Sequence, residues 1–265
     1  MFWTRLASGI VLLAVIIGAF FAGSTVMFFL SAVLAMIGLY EIYKVHKIEK
    51  EIIGYAGYAA ALIYIICAWF AFEQWAMLAL SAGFLLLMCV YVFSFPKYKA
   101  SQIAYAVFGV LYVPVLMMFM FQIRRMEDGL LLIPLVFISA WGNDTCAYCV
   151  GMLIGKHKMS PKLSPKKSVE GFIGGVIGAA LLGALYGWFL SMTYGHVSIG
   201  LYALMCGAAG MFSVVGDLTA SAVKRDFGIK DYGKLIPGHG GVMDRFDSIL
   251  FTAPVVYFIA LYWLV

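Results

Sequence analysis

The chain has 265 residues, is 64% hydrophobic and 12% charged, and carries a mean hydropathy of +0.99 with a formal net charge of +5. A soluble domain is about half apolar and about a quarter charged, so one aqueous core cannot hide this much apolar surface and lipid must cover part of it. The apolar runs are continuous rather than alternating, which excludes a porin-like barrel and predicts an all-α polytopic membrane protein with no nucleic-acid partner.

Segments of about twenty apolar residues cross a bilayer. Nine are read in chain order, at about 6–22, 25–43, 52–72, 75–95, 103–122, 130–154, 170–192, 198–223 and 247–264. Breaks at Gly23-Ser24 and Glu73-Gln74 predict tight hairpins between consecutive spans. Arg5 ahead of a short apolar run resembles the start of a signal peptide, but a second span follows at once and an uncleaved first helix is expected. No soluble domain, linker or repeat is visible. Residues 1–265 read as one membrane domain, with mainly apolar helices over 1–125 and the chemistry-bearing helices and loops over 126–265.

Nine spans place alternate loops on opposite sides, and basic residues mark the cytoplasmic one. With this partition every Lys and Arg except Arg124 and Arg125 falls on a single side. The N-terminus and the two longest polar loops are therefore expected in the cytoplasm, and the C-terminus, "LYWLV", on the opposite side. Of the histidines, His46 and His157 read as ordinary cytoplasmic loop residues and His196 lies on the outer side. The five cysteines sit in apolar runs; Cys146 and Cys149 form a C-x-x-C with no second pair or nearby histidine, so no metal chemistry is assigned to them.

Intramembrane carboxylates are costly and mark function by default. Asp144, beside Asn143, lies inside the sixth span, and Asp217 lies near the cytoplasmic end of the eighth. On a helix, Asp217, Ser221 and Lys224 share a face at i, i+4 and i+7; a neutralising Asp217–Lys224 pair is the plain alternative. The stretch that follows decides for chemistry. Lys224, Arg225, Lys230 and Lys234 lead into "PGHGGVMDRFD", which gathers cations, carboxylates and glycine amides able to approach phosphate oxygens. Arg and Lys supply phosphate contacts. Asp244 and Asp247, three apart, share a face if the last helix includes them and can hold a hard cation, which suits magnesium bridged to phosphates. The other cytoplasmic loop, "GKHKMSPKLSPKKSVEGFIGG", adds five lysines, two Ser-Pro turns and Glu170. His239, flanked by Gly238, Gly240 and Gly241, reads equally as a phosphate donor and as a turn histidine.

The pattern Ser221-x-Val223-Lys224-Arg225-x4-Lys230-Asp231-x-Gly233-x2-Ile236-Pro237-x-His239-Gly240-Gly241-Val242-x-Asp244-Arg245-Phe246-Asp247 resembles the signature of the phosphatidate cytidylyltransferases, the CDP-diacylglycerol synthases. "SPKKSVEGFIGG" and Asn143-Asp144 are similar to the same family. The resemblance implies the reaction CTP + phosphatidate → CDP-diacylglycerol + pyrophosphate, magnesium alone or with a second cation, a bacterial inner-membrane location with the site facing the cytoplasm, and a homodimer in membrane lipid. Carried onto matching positions, Asp217 and Asp244 would hold the metal and Lys224 and Arg225 would contact phosphates. Asp247 and Asp231 would shape the site, with Ser221, Lys230, His239, Gly240, Gly241 and Arg245 as further substrate contacts. Lys166, Lys167 and Glu170 would close it from the neighbouring loop, and Asn143 and Asp144 would line its deeper part. The competing readings are a CDP-archaeol synthase or polyprenol kinase of similar build, and an ion-coupled transporter, which would show inverted repeats that this sequence lacks.

Overall fold

A computed structural model describes residues 2–70, 72–195 and 197–263 of the chain. His196, Leu264 and Val265, and the readings that rest on them, lie outside the described residues. Among those residues nine helices are long and apolar enough to cross a membrane. They are α1 (Phe2–Ala22), α2 (Ser24–Val45), α3 (Ile52–Phe70), α4 (Phe72–Phe93), α5 (Ala100–Arg125), α6 (Gly129–Ile154), α7 (Val169–Ser191), α8 (Ile199–Asp226) and α9 (Met243–Trp263). The expected spans match these within a few residues, with two informative differences. Helix α9 begins four residues earlier than expected and takes in Asp244. Glu73 and Gln74, where a break was expected, lie inside α4, as suits two good helix formers. The expected hairpin at Gly23 turns on a φ of +102°, open to glycine at no steric cost.

The chain divides into two compact units, Met1–Gln122 with Asp231–Arg245, and Ile123–Lys230 with Phe246–Val265. In the first, Tyr43 of α2 is fully buried and donates its hydroxyl to the Ala106 carbonyl at 2.8 Å. Glycines make room for it: a Cβ on Gly57 of α3 would stand 2.0 Å from the Tyr43 oxygen, and one on Gly109 of α5 would stand 2.6 Å from its ring. Phe28, Trp69 and Phe121 pack as an aromatic triad with ring centroids 4.7 to 5.8 Å apart. Gln122 donates to the Ala68 carbonyl at 3.1 Å, a buried bond that ties α5 to α3.

His46, at the C-terminal end of α2, is not the plain loop residue expected. Its ring stacks on Tyr105 at 3.9 Å, and burial pushes its pKa down to about 4. The neutral form is the one the fold keeps, so the stability this contributes is full above the ordinary value of 6.5 and is lost as pH falls from there towards 4. Thermal unfolding between pH 7.5 and pH 5 should therefore drop more steeply for the native chain than for His46→Phe, which keeps the stack and cannot titrate. Parallel profiles would remove His46 as the cause.

In the second unit the packing rests on small residues. One row of α7, Gly171, Gly175, Ala179, Gly183 and Gly187, is buried at four-residue spacing. A Cβ on Gly175 would meet Asn143 and Ala147 of α6 within 3 Å, and one on Gly183 would meet Cys206 and Tyr202 of α8. Close backbone approach of this kind is how helices pack where lipid removes the hydrophobic drive. Helix α6 carries a π turn at Ile138–Gly142, immediately before Asn143-Asp144; such turns interrupt the regular ladder and recur at functional positions.

The loop between α6 and α7 departs from the expectation of two Ser-Pro turns. It forms an antiparallel hairpin, β1 (Lys158–Ser160) and β2 (Ser164–Ser168), with Lys158 opposite Ser168 and Ser160 opposite Ser164. Ser160-Pro161 does turn, whereas Pro165 sits inside β2, as a two-stranded ribbon permits because each strand has an edge free of ladder bonds.

Candidate functional site

Within the second unit, β1, β2, α6, α7 and α8 line an open cavity of about 580 Å³ whose charged and polar lining includes Asp144, Asp217, Lys158, Lys166, Lys167 and Ser164. Three elements deliver these groups. The π turn in α6 precedes Asp144, the penultimate turns of α8 carry Asp217, and the hairpin folds its lysines over both. Lys167 forms an ion pair with Asp217. This partner, fifty residues earlier in sequence, was not among those expected for Asp217. The charge of Asp144 is felt by both members of that pair, and Asp247 in α9 lies within electrostatic reach of Asp217, Asp144 and Lys224. Lys224 and Arg225 occupy the last turn of α8, one turn beyond Ser221.

Two other residues expected here are placed differently. Asn143 is fully buried between α6, α7 and α8, against Gly175 and Gly210. Glu170, in the first turn of α7, accepts from the amides of Lys156 and His157 and pairs with the His157 ring at 2.6 Å. It latches the base of its own hairpin, while Ser168 caps α7 by accepting from Gly171 at 3.1 Å.

In the first unit the signature loop over 231–242 is folded by two carboxylates. Asp244, 9% exposed, accepts from the amides of Tyr232 (2.8 Å) and Gly241 (2.9 Å) through Oδ2. Glu41 of α2, 4% exposed, accepts from the amides of Val242 (3.1 Å), just before α9, and Met243 (2.9 Å), its first residue. This explains the glycines, since a Cβ on Gly233 or Gly241 would come within 2.3 Å of a Glu41 oxygen. Gly238 and Gly240 turn at φ of +78° and +91°. His239 sits at the tip, its Nδ1 2.8 Å from Ser8 Oγ and its carbonyl accepting from Arg245 Nε at 2.9 Å. Lys230 closes the second unit and Asp231 opens this segment, both at its exposed start.

Glu41 was missing from the sequence reading, although it is an intramembrane carboxylate and the rule that flagged Asp144 and Asp217 applies to it equally. Lys158 and Ser164 were missed as well, because only the hairpin register turns them towards the cavity. Among the described residues no three His, Cys, Asp or Glu side chains lie close enough together to hold a metal by themselves. Magnesium, however, needs only one or two carboxylates when phosphates and waters complete its shell, and Asp217 and Asp144 both line the cavity.

Among the described residues, nine bilayer-length helices and a cavity lined by carboxylates and lysines define the class, a polytopic membrane protein with a charged pocket. Residues 3–263 match the model of the cytidylyltransferase family, and the chain belongs to that family. It is 32% identical over 259 residues to the phosphatidate cytidylyltransferase of Staphylococcus haemolyticus, covering 95% of this chain and 96% of that one. It is 33% identical over 165 residues to the protein of the same name from Staphylococcus epidermidis, where the match spans 62% of each chain. With the one from Synechocystis sp. it shares 37% over 138 residues, 51% of this chain and 45% of that protein's length.

Proposed function

We propose that this chain transfers the cytidylyl group of CTP to phosphatidate, giving CDP-diacylglycerol and pyrophosphate. The observation that carries the reading is the cavity in which Asp144 and Asp217 face Lys158, Lys166 and Lys167. A phosphate oxygen of the lipid attacks the α-phosphorus of CTP, the bond from that phosphorus to the bridging oxygen breaks, and pyrophosphate leaves. No protein nucleophile is needed; the barrier is the meeting of two anions, and fixed cations in a water-poor site lower it.

Lys158, Lys166 and Lys167 bind phosphate oxygens, and Lys167 exchanges its Asp217 partner for the triphosphate as the nucleotide enters. Lys224 and Arg225 contact the phosphates from the end of α8, and Asp247 holds the local charge balance. Asp217 and Asp144 would hold magnesium, which when bound offsets the triphosphate charge; the resemblance adds Asp244 to that role. The resemblance adds Ser221, Lys230, Asp231, His239, Gly240, Gly241 and Arg245 as further substrate contacts. Glu170 keeps the hairpin closed, and Asn143 supports Asp144 from behind. The same proposal places the chain in a bacterial inner membrane, as a homodimer, with the site and the N-terminus in the cytoplasm; the one-sided distribution of Lys and Arg supports the orientation.

Purified protein should release pyrophosphate only when CTP, phosphatidate and magnesium are all present. Release of a nucleoside diphosphate instead would identify a lipid kinase and overturn the reading. Lys167→Met should lower kcat/KM by about 10- to 100-fold, the range for loss of a charge-assisted phosphate contact. Most of that loss should fall on KM for CTP, read from initial rates at varied nucleotide.

A further inference from the structure

A second cationic feature lies at the start of α1. Arg5, near the N-terminal end of α1, packs its stem on Gly238, where a Cβ would stand 2.7 Å from Arg5 Cγ. One turn later Ser8 donates to the Pro237 carbonyl at 2.9 Å and meets the His239 ring. Arg245 donates to the carbonyl of His239 from the other side. Burial, then the charges of Arg245 and Arg5, lower the pKa of His239 and keep that ring neutral, so the positive charge here is carried by the two arginines. Among the described residues neither arginine makes an ion pair.

From this cluster an apolar slot of about 510 Å³ runs into the span, lined by Val11, Val15 and Ile16 of α1, Leu30 and Leu34 of α2, and Ile236 of the loop. From Ala7 to Ile16 it follows α1 for about 14 Å at 1.5 Å per residue, roughly half the hydrocarbon thickness of a bilayer. Two arginines near the N-terminal ends of two bilayer-length helices, beside an apolar slot, match one kind of occupant in both halves.

We infer that the Arg5–Arg245 cluster and the slot beneath it bind an anionic glycerophospholipid, its phosphate on the arginines and one acyl chain along α1 and α2. The charge at the headgroup level gives the preference for an anionic lipid, and the apolar lining excludes a polar ligand from the slot. His239 and Arg245 also stand among the proposed substrate contacts, so the inference rests on that reading for those two residues and goes beyond it in the slot along α1 and α2, which the test reads separately.

The test uses the full-length protein in phosphatidylcholine nanodiscs without CTP. The nanodiscs are doped either with phosphatidylglycerol bearing a mid-chain diazirine or with the matching phosphatidylcholine probe. Phosphatidylglycerol lacks the phosphomonoester that the proposed transfer needs, and adducts at the slot residues are distinguished by position from any in the cavity of Asp144 and Asp217. After irradiation, adducts should map to residues 7–16 and to Leu30 and Leu34, and phosphatidylglycerol should label them several-fold more than phosphatidylcholine. Arg5→Gln should lower that preference by about five-fold, the worth of one arginine near an anionic headgroup. Val11→Trp, at a position 62% exposed where bulk is tolerated, should fill the slot and remove the adducts at Val15 and Ile16. Equal labelling by both probes, or a preference unchanged by Arg5→Gln, would overturn the inference.

Discussion

Asp217→Asn should lower turnover by about 10²- to 10³-fold, the range seen when one preorganised charge is removed from a site that stabilises developing charge. Asparagine has the same shape and still offers an oxygen to Lys167, so the loss should come without a change in thermal stability. Two further readings separate the causes. If Asp217 helps to hold magnesium, the concentration needed for half-maximal turnover should rise in the variant. If instead Asp217 serves only to place Lys167, then Lys167→Met should reproduce the Asp217→Asn kinetics and the double variant should be no worse than either alone. Pyrophosphate release within threefold of the native rate would discard the assignment of Asp217.

Glu41→Ala should be the most destabilising single change outside the cavity. It strips the acceptor from two buried amides, those of Val242 and Met243, at the N-terminus of α9. It also leaves a hole between α2 and the glycines at 233 and 241. Each buried donor left unsatisfied costs about 1–3 kcal/mol, so a total of about 2–4 kcal/mol follows, read as a Tm about 5–10 °C lower. Glu41→Gln keeps one acceptor oxygen but turns an NH₂ towards the other amide, and should fall between the two. Because the amides of the signature loop are fixed by this carboxylate and by Asp244, activity should fall along with stability and return in part with Glu41→Gln. A Glu41→Ala protein as stable as the native one would show that water replaces the carboxylate there.

The helices were legible because each is a local pattern: twenty apolar residues declare a span, and the one-sided placement of Lys and Arg keeps the count in register. Asp144 and Asp217 stood out for the same reason, as charges where charges are costly. The contacts that organise the polar face are not local. Glu41 meets Val242 some two hundred positions away, and nothing in "LYEIYK" announces a partner in "GGVMD". Asp244 read as a metal ligand from its spacing to Asp247, but one of its oxygens serves the amides of Tyr232 and Gly241, a demand created only when the loop folds back. The hairpin escaped because lysine- and proline-rich sequence carries weak strand propensity; its pairing is closed by the turn at Pro161 and by Glu170 latching onto Lys156 and His157.

Helix α7 is lopsided in a useful way. Opposite its buried row of Gly and Ala runs a parallel series, Ile173, Ile177, Leu181, Leu185 and Phe189, each 52–65% exposed. Bulk is forbidden on one flank and free on the other, so a spectroscopic probe belongs on the second. A spin label on Leu181→Cys or Leu185→Cys would report bilayer depth and helix tilt while leaving the glycine seam, and the cavity wall that depends on it, undisturbed.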